Sequence, residues 1–237
     1  MSKCVVIFSG GMDSTVILQH CIRKYDQVHC LTYDYNQRHK AEIDRALDYT
    51  TSINQDNIVH TIVDLGFYSK LASASALTNS DIAVPDMKDV IGDPQCVTYV
   101  PNRNMVMLSV AAGYAESIEA TDVYYGAALA DDTSGYWDCT TEFLLSYNNI
   151  LKLNRRNTIT IFAPLIAMTK AEIIRYGIEL GVDYSKTLTC YSGLDKACGK
   201  CPSCAARLKG FIDAGIKDPL EYALDIPWEK YNCKDIK

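Results

Sequence analysis

Residues 4–14 read Cys-Val-Val-Ile-Phe-Ser-Gly-Gly-Met-Asp-Ser, and this stretch decides the fold. The apolar run 4–8 predicts a buried strand, and a helix is expected to follow over 15–25. A helix that begins on a glycine turn presents free backbone N–H groups and the positive end of its dipole. Glycine lets the backbone close on an anion, and Ser9 and Ser14 add hydroxyl donors. The stretch therefore predicts a phosphate-binding loop; the alternative is an ordinary glycine turn between strand and helix.

The composition of the 237-residue chain narrows the class of protein. Apolar residues make up 48% of the chain, which is enough to bury a full core. No uninterrupted apolar run reaches membrane-spanning length and no signal pattern is seen, so we expect a cytoplasmic globular protein without membrane contact. The formal net charge of −6 argues against a direct nucleic-acid partner, because nucleic-acid interfaces are strongly basic.

Strand and helix patterns alternate along the chain. Further strands are expected over 28–33, 58–65, 123–125 and 159–162, and helices over 39–53, 105–116, 141–153 and 170–181. This alternation predicts an α/β fold, in which a parallel sheet carries helices on both faces. Residues 66–98 show no periodic pattern, and we expect an irregular segment that serves as a lid or a partner surface.

Four of the ten cysteines follow the pattern C-x7-C-x2-C-x2-C, namely Cys190, Cys198, Cys201 and Cys204. The two-residue spacings let the thiolates reach one metal ion, and Gly199 and Pro202 suit the turn and the helix that follows. Four thiolates predict a closed structural zinc site, with an iron–sulfur cluster or redox-active pairs as alternatives. Cys4, Cys21 and Cys30 lie in apolar patterns and are expected in the core. We expect an α/β domain over residues 1–185 and a small zinc-bound, helical region over 186–237 packed on it.

Basic residues begin two of the predicted helices, against the preference of the helix dipole. Arg38 and His39 follow the second strand, and Arg103 follows the proline-stiffened turn at Pro101. An anionic ligand would explain them; a solvated basic turn or a surface salt bridge is the alternative. Lys170 lies in a capping box and could support pyrophosphate, although an ordinary surface lysine fits the spacing equally well.

Acidic and aromatic residues follow the fourth strand, at the carboxyl edge of the sheet where open α/β folds bind ligands. Asp131, Asp132 and Asp138 could accept hydrogen bonds from the N–H edge of a purine-like base, and Tyr136 could stack on it. Solvated loop charges are the alternative.

The loop Ser9-Gly10-Gly11-Met12-Asp13-Ser14 resembles the SGGxDS loop of the ATP pyrophosphatases, or PP-loop superfamily. Motifs along most of the chain are similar to those of the 7-cyano-7-deazaguanine synthase family. This second resemblance rests on residues 8–14, 35–39, 41–42, 100–104, 134–139, 170–172, 188–191, 198–204, 207–210 and 218–219. It implies a Rossmann-like PP-loop fold and an ATP-dependent ligase that forms carbon–nitrogen bonds.

The family reaction would convert 7-carboxy-7-deazaguanine and ammonia to 7-cyano-7-deazaguanine, a precursor of queuosine. ATP would adenylate first the carboxylate and then the amide, with Mg²⁺ beside the phosphates. The resemblance implies zinc on the four cysteines, a homodimer, and Asp13, Arg38 and Lys170 as catalytic residues. Substrate contacts would come from His39, Arg103, Asp131, Asp132, Tyr136 and Asp138. The ATP-binding residues would be Phe8, Ser9, Gly10, Gly11, Met12, Asp13, Ser14, Thr15, Val16, Ile17 and Leu18.

The chain departs from the family pattern at several positions. Trp137 replaces a usual proline, Ala163 a common threonine, and Asn36 a residue that can be glycine, while the 127–133 loop is one residue longer than expected. We expect these changes around the base pocket, so an enzyme that stops at the amide or uses another amine is an alternative. A PP-loop enzyme that modifies tRNA and a non-enzymatic, nucleotide-binding zinc protein are more distant alternatives.

Overall fold

The computed structural model describes residues 1–38, 41–90, 93, 96–128, 136–192 and 196–236. The strands are β1 (Lys3–Ile7), β2 (Gln27–Asp34), β3 (Ile58–Asp64), β4 (Asp122–Tyr124) and β5 (Thr160–Phe162). The α-helices are α1 (Met12–Ile22), α2 (Ala41–Ile53), α3 (Gly66–Leu71), α4 (Arg103–Ser117), α5 (Thr141–Leu151), α6 (Lys170–Glu179) and α7 (Pro202–Ala214). Short 3₁₀ turns lie at Met87–Asp89, Trp137–Cys139, Tyr184–Lys186 and Trp228–Tyr231.

The five strands form a single parallel sheet in the order β3-β2-β1-β4-β5. Cys4 pairs with Val28 on one side and with Asp122 on the other, so β1 is central. Because all strands run the same way, the residues that follow β1, β2 and β4 meet at one edge. The order reverses around β1, which places the predicted phosphate loop at the point where open α/β sheets bind ligands.

Successive residues of β1 point to opposite faces of the sheet, and each face is covered by helices. Cys4 and Val6 belong to a core that includes buried residues of α1, α2, α6 and α7. Val5 belongs to a second core built with α4 and α5. The predicted α/β fold with helices on both faces is confirmed. Cys21 and Cys30 are buried beside Cys4, as expected.

The structure corrects the prediction that residues 66–98 are irregular. The segment contains α3 and the 3₁₀ turn Met87–Asp89, and it buries Ala72 and Leu77 against Val100. These pieces are too short to show a helical period in the sequence, which is why the pattern missed them. A role as lid or partner surface stays a prediction. None of the described helices combines the length and the apolar character that crossing a membrane requires.

The C-terminal residues are fastened by a buried ion pair. Arg207 of α7 and Asp218 are 1% and 0% exposed, and the Arg207 Nε lies 2.6 Å from the Asp218 Oδ2. Pro202 occupies the first turn of α7, and the helix ends at Gly215 with a φ of 72°. Helix α7 packs against α6. The division into regions 1–185 and 186–237 stays a prediction.

Candidate active site

The loop between β1 and α1 is held in shape by its own hydroxyl groups. Ser14 Oγ donates to the Gly11 carbonyl (3.0 Å) and accepts the Ser9 N–H (3.2 Å), and Thr15 Oγ1 also donates to the Gly11 carbonyl (2.8 Å). Helix α1 begins at Met12, immediately after the glycines and three residues earlier than expected. The N–H groups of its first turn therefore lie directly at the loop, as anion binding requires.

Gly10 is the position of this loop that only glycine can occupy without strain. Its φ is +74°, in the left-handed region, and a Cβ there would lie 2.8 Å from the backbone nitrogen of Ala46. Helix α2 thus packs directly over the loop. A second close approach brings the end of β4 to the start of α1, because a Cβ at Gly126 would lie 3.1 Å from the Ser14 nitrogen.

A cavity of about 270 Å³ opens at the carboxyl edge of the sheet above this loop. Its walls come from the loop, from the ends of β2 and β4, from α4 and from the cysteine-rich region. A second cavity of about 200 Å³ adjoins it. Both cavities are lined by Met12, Asp13, Cys139, Thr189, Tyr191 and Ser203.

Asp13 and Lys170 face each other where the two cavities meet. Lys170 Nζ donates to Asp13 Oδ2 at 2.6 Å, and the two side chains are 15% and 21% exposed. Lys170 is the first residue of α6 and lies inside the capping box formed by Thr169 and Glu172, and this predicted box is confirmed. Asp13 Oδ1 is buried and has no hydrogen-bond partner among the described residues. A buried carboxylate oxygen without a partner is a position suited to a cation.

The placement of Lys170 depends on a close crossing of α6 and α7. A Cβ at Gly210 would lie 2.6 Å from the Cβ of Lys170 and 3.0 Å from Ile174 Cδ1. Only glycine at residue 210 lets α7 approach α6 this closely. The lysine is therefore fixed at its backbone by a helix from the C-terminal region.

The side chain of Arg103 places a positive charge in the wall of the larger cavity. Arg103, the first residue of α4, donates to the Tyr35 hydroxyl at 3.1 Å, and its guanidinium lies 5.9 Å from the Tyr35 ring centre. Burial raises the pKa of Tyr35, and Arg103 opposes that rise. The tyrosine therefore stays a neutral hydroxyl, and Arg103 keeps its positive charge at the cavity wall.

Asp138 is buried beside this arginine. Its exposed fraction is 3%, and burial raises the pKa of its carboxyl group while Arg103 acts in the opposite direction. Next to it, Cys139 accepts a 3.4 Å hydrogen bond from the Asn104 amide, and burial raises the pKa of its thiol to about 11. The Cys139 thiol is therefore neutral at physiological pH, which does not suit a nucleophile.

The four cysteines come together as the spacing predicts. Their sulfur atoms all lie within 4.8 Å of one another, and all four residues are buried. The Cys198 N–H donates to the Cys190 sulfur and the Cys201 N–H to the Cys198 sulfur, each at 3.3 Å. Gly199 adopts a φ of +76°, which lets the chain turn between Cys198 and Cys201. The cluster could bind one metal ion.

Comparison with known proteins identifies the same family as the sequence motifs of the loop and of the cysteines. The family model "Queuosine biosynthesis protein QueC" matches residues 3–215. A 7-cyano-7-deazaguanine synthase of Alteromonas mediterranea is 45% identical over 219 residues, 92% of this chain and 97% of the relative. One of Thermoplasma acidophilum is 46% identical over 93% of this chain and 92% of its own length. The chain belongs to the QueC family.

Among solved structures, this QueC-family chain is similar to a 4-thiouridine synthetase bound to RNA and ATP. The sequence identity is 16% and the TM-score 0.48, with 88% of this chain covered. The chain spans about half the length of that protein (49%).

The structure brings together some of the predicted residues and not others. Of the predicted ATP-binding residues, Phe8, Ser9, Gly11, Met12, Asp13 and Ser14 line the larger cavity. Val16, Ile17 and Leu18 are instead packed in the core, where α1 covers the sheet. Arg38 is exposed and donates to the backbone carbonyls of Ser80 and Ile82. Its catalytic role stays a prediction, and His39, Asp131 and Asp132 lie outside the described residues.

Tyr136 lies in the smaller cavity and not in the larger one. Its hydroxyl group is 2.9 Å from Thr98 Oγ1 and 3.4 Å from the Cys96 sulfur, and its ring is tilted against Tyr99. Burial raises its pKa. The hydroxyl is therefore held by the protein, and the ring is the part left to contact a ligand.

Three departures from the family pattern lie away from the described cavity walls. Trp137 is 42% exposed and donates to the Tyr99 hydroxyl at 2.7 Å. Asn36 is exposed at a φ of 56°, a left-handed position that asparagine and glycine both tolerate. Ala163 is buried in the second core. None of the three lines either cavity, and the expectation that they surround the base pocket stays a prediction.

Several residues of the site were not predicted. The larger cavity is also lined by Glu42 of α2 and by four residues at the carboxyl end of β2, namely Thr32, Tyr33, Tyr35 and Gln37. The four residues near β2 could have been found from the sequence, because they occupy the end of a predicted strand and the turn after it. For Thr189, Tyr191 and Ser203 the signal was hidden, because they lie among the four clustered cysteines and the sequence analysis placed them in that region.

Proposed function

We propose that this chain converts 7-carboxy-7-deazaguanine and ammonia to 7-cyano-7-deazaguanine with two molecules of ATP. The observation that carries the proposal is the Asp13–Lys170 pair at the phosphate loop of a QueC-family chain. Carboxylate and amide oxygens are poor leaving groups, and adenylation replaces them with AMP. The residues needed for adenylation are an anion cradle, a cation for the departing charge and a carboxylate for Mg²⁺.

In the first activation a substrate carboxylate oxygen attacks the α-phosphorus of ATP, and pyrophosphate leaves. The loop N–H groups around Gly11 and the start of α1 would hold the pyrophosphate as its charge increases. Lys170 would move its contact from Asp13 to the leaving group. Ammonia then attacks the acyl carbon and AMP departs, which leaves the amide after loss of a proton.

In the second activation the amide oxygen attacks another ATP at the same place. Loss of AMP and of the remaining N–H protons then gives the nitrile. The same residues serve both activations, because both transfer an adenylyl group to an oxygen on the same carbon. Arg103, the cation of the larger cavity wall, would hold the anionic substrate during the first activation.

Two metals fit the residues that are present. The buried Oδ1 of Asp13 would hold Mg²⁺ beside the phosphates. Four buried cysteine sulfurs without an open position fit Zn²⁺ in a structural role. A homodimer and a cytoplasmic location remain part of the proposal by family resemblance.

Mass spectrometry of the product tests the proposal. The purified chain is incubated with 7-carboxy-7-deazaguanine, ammonium and Mg-ATP, and the nitrile is expected together with AMP. Amide as the sole product would overturn the second activation and leave the first. Absence of any conversion, together with ATP binding, would overturn the substrate assignment. A parallel reaction without ammonium should release pyrophosphate but form no amide.

A further inference from the structure

Residues 187–191 connect the phosphate loop to the cysteine cluster. The Leu188 N–H donates to the Gly10 carbonyl at 3.2 Å, and a Cβ at Gly11 would lie 3.6 Å from the Leu188 carbonyl oxygen. Thr189 and Tyr191 line both cavities, and Cys190 between them belongs to the cluster. This segment therefore supports the back of the loop while it also forms a wall of the site.

Arg207 donates several hydrogen bonds to this segment. Its Nη1 donates to the Thr187 carbonyl (3.1 Å), to Thr187 Oγ1 (2.8 Å) and to Thr189 Oγ1 (3.2 Å). Its Nη2 donates to the Tyr184 carbonyl at 2.9 Å. The guanidinium thus grips both residues that flank Leu188, the residue that contacts Gly10.

Asp218 fixes the guanidinium in this orientation. Its two carboxylate oxygens accept from Arg207 Nε at 2.6 Å and from Nη2 at 2.8 Å, and Oδ2 also accepts from the Tyr222 hydroxyl at 2.6 Å. The pair is fully buried, so its charges are compensated by each other and by these hydrogen bonds.

Arg207 is not itself a ligand for phosphate, although it borders the smaller cavity. Every N–H group of its guanidinium already has a protein acceptor in Asp218, the 187–189 backbone and hydroxyls, or Tyr184. A contact with pyrophosphate would require one of these bonds to break inside the core.

We propose that Arg207 is a positioning residue for ATP: it sets residues 187–191 against the phosphate loop and thereby fixes the loop in its anion-binding shape. The inference rests on the proposed function, because it presumes that the loop binds ATP. A residue that only stabilised the fold would change the fraction of folded enzyme and leave the affinity of that fraction for ATP unaltered.

The test measures ATP binding by calorimetry, together with metal content and the KM for ATP. In Arg207→Lys the charge opposite Asp218 is kept, but an ammonium cannot hold Asp218 and both threonines at once. We expect one metal ion per chain as in the wild type, and a dissociation constant for ATP about tenfold higher, since small displacements of binding groups are costly. Tyr222→Phe, which removes one bond to Asp218 and none to the segment, should bind ATP like the wild type.

ATP binding by Arg207→Lys with wild-type affinity would overturn the inference and leave the proposed function intact. A wild-type chain that does not bind ATP would overturn both. If Arg207→Lys does not fold, the double variant Arg207→Met with Asp218→Asn removes both charges, so neither is left buried alone. It should then show the same loss of affinity for ATP, and wild-type affinity there would also overturn the inference.

Discussion

Lys170 Nζ lies 2.6 Å from Asp13 Oδ2, although the two residues are 157 positions apart in the chain. Asp13 belongs to the first turn of α1 and Lys170 begins α6, and both helices cover the same face of the sheet. In the free protein the pair neutralises itself. With Mg-ATP bound, the carboxylate would turn to the metal and the ammonium to the phosphates, so one pair would supply both charges that adenylation needs.

Asp13→Asn should remove most of the activity without unfolding the chain. The amide keeps the volume of the side chain but cannot neutralise Lys170 or hold Mg²⁺ as an anion does. We expect kcat/KM to fall about 10²- to 10³-fold, comparable to the loss of one electrostatic group in other active sites. Pyrophosphate release measures it. Asp213→Asn is the matched control, because Asp213 also pairs with a lysine (Lys209, 2.7 Å) but on an exposed helix face.

Gly10→Ala should distort the loop more than the left-handed backbone angle of residue 10 alone would cause. Gly10 and Gly181 have φ values of +74° and +72°, so alanine at either position costs about 1–2 kcal/mol for the left-handed conformation. At Gly181 a Cβ would meet nothing within 4 Å, whereas at Gly10 it would meet the Ala46 backbone at 2.8 Å. Gly181→Ala should keep its ATP affinity and Gly10→Ala should lose it. Equal unfolding midpoints and equal ATP affinities in the two variants would contradict this reading of the loop.

Metal removal should destabilise the chain strongly. In Cys198→Ser one buried thiolate ligand is lost, and binding free energy of a structural metal is folding free energy. We expect a lower metal content by mass spectrometry and a loss of several kcal/mol in the free energy of unfolding. Cys233→Ser is the control, since Cys233 lies outside the cluster. A Cys198→Ser protein with wild-type stability would show that the cysteines serve another purpose.

The stability of the fold should respond to pH through Asp138. Burial raises the pKa of its carboxyl group, so the folded chain holds this proton more tightly than the unfolded chain. The contribution of Asp138 to stability is therefore fully present below the ordinary carboxyl pKa, and it is lost as pH rises through the raised value. Urea unfolding should find Asp138→Asn more stable than the wild type at pH 7, with a difference that shrinks towards pH 4. A difference that grows on acidification would refute the sign.

Much of the fold followed from local pattern. The apolar strands, the capping box at Thr169 and the glycines after Phe8 are each recognisable within a few residues, and each specifies its structure by steric or hydrogen-bonding rules. Helix α3 is an exception, because its six residues are too few to show a period and its Tyr68 contacts Pro101 and Val100 from a distant part of the chain.

The site was less accessible to such reasoning, because its walls come from segments that meet only in the folded chain. The phosphate loop and the four cysteines could be found from spacing, since a few neighbouring residues carry each signal. The role of Thr189 and Tyr191 as cavity walls depends on Leu188 meeting Gly10 across the structure, and no local pattern encodes that contact. Arg38 is the opposite case: its position in the sequence suggested an anionic ligand, but its guanidinium donates to the backbone carbonyls of Ser80 and Ile82.

The crossing of α6 and α7 at Gly210 also bears on when the protein acquires its site during synthesis. The phosphate loop is synthesised long before Gly210, yet the close contact of Lys170 with Gly210 sets the position of the lysine beside that loop. We therefore expect a prematurely terminated chain that lacks α7 to hold neither Lys170 nor the phosphate loop in the arrangement found in the structure. Such a chain is not expected to adenylate a substrate, because the proposed reaction needs Asp13 and Lys170 side by side at the loop.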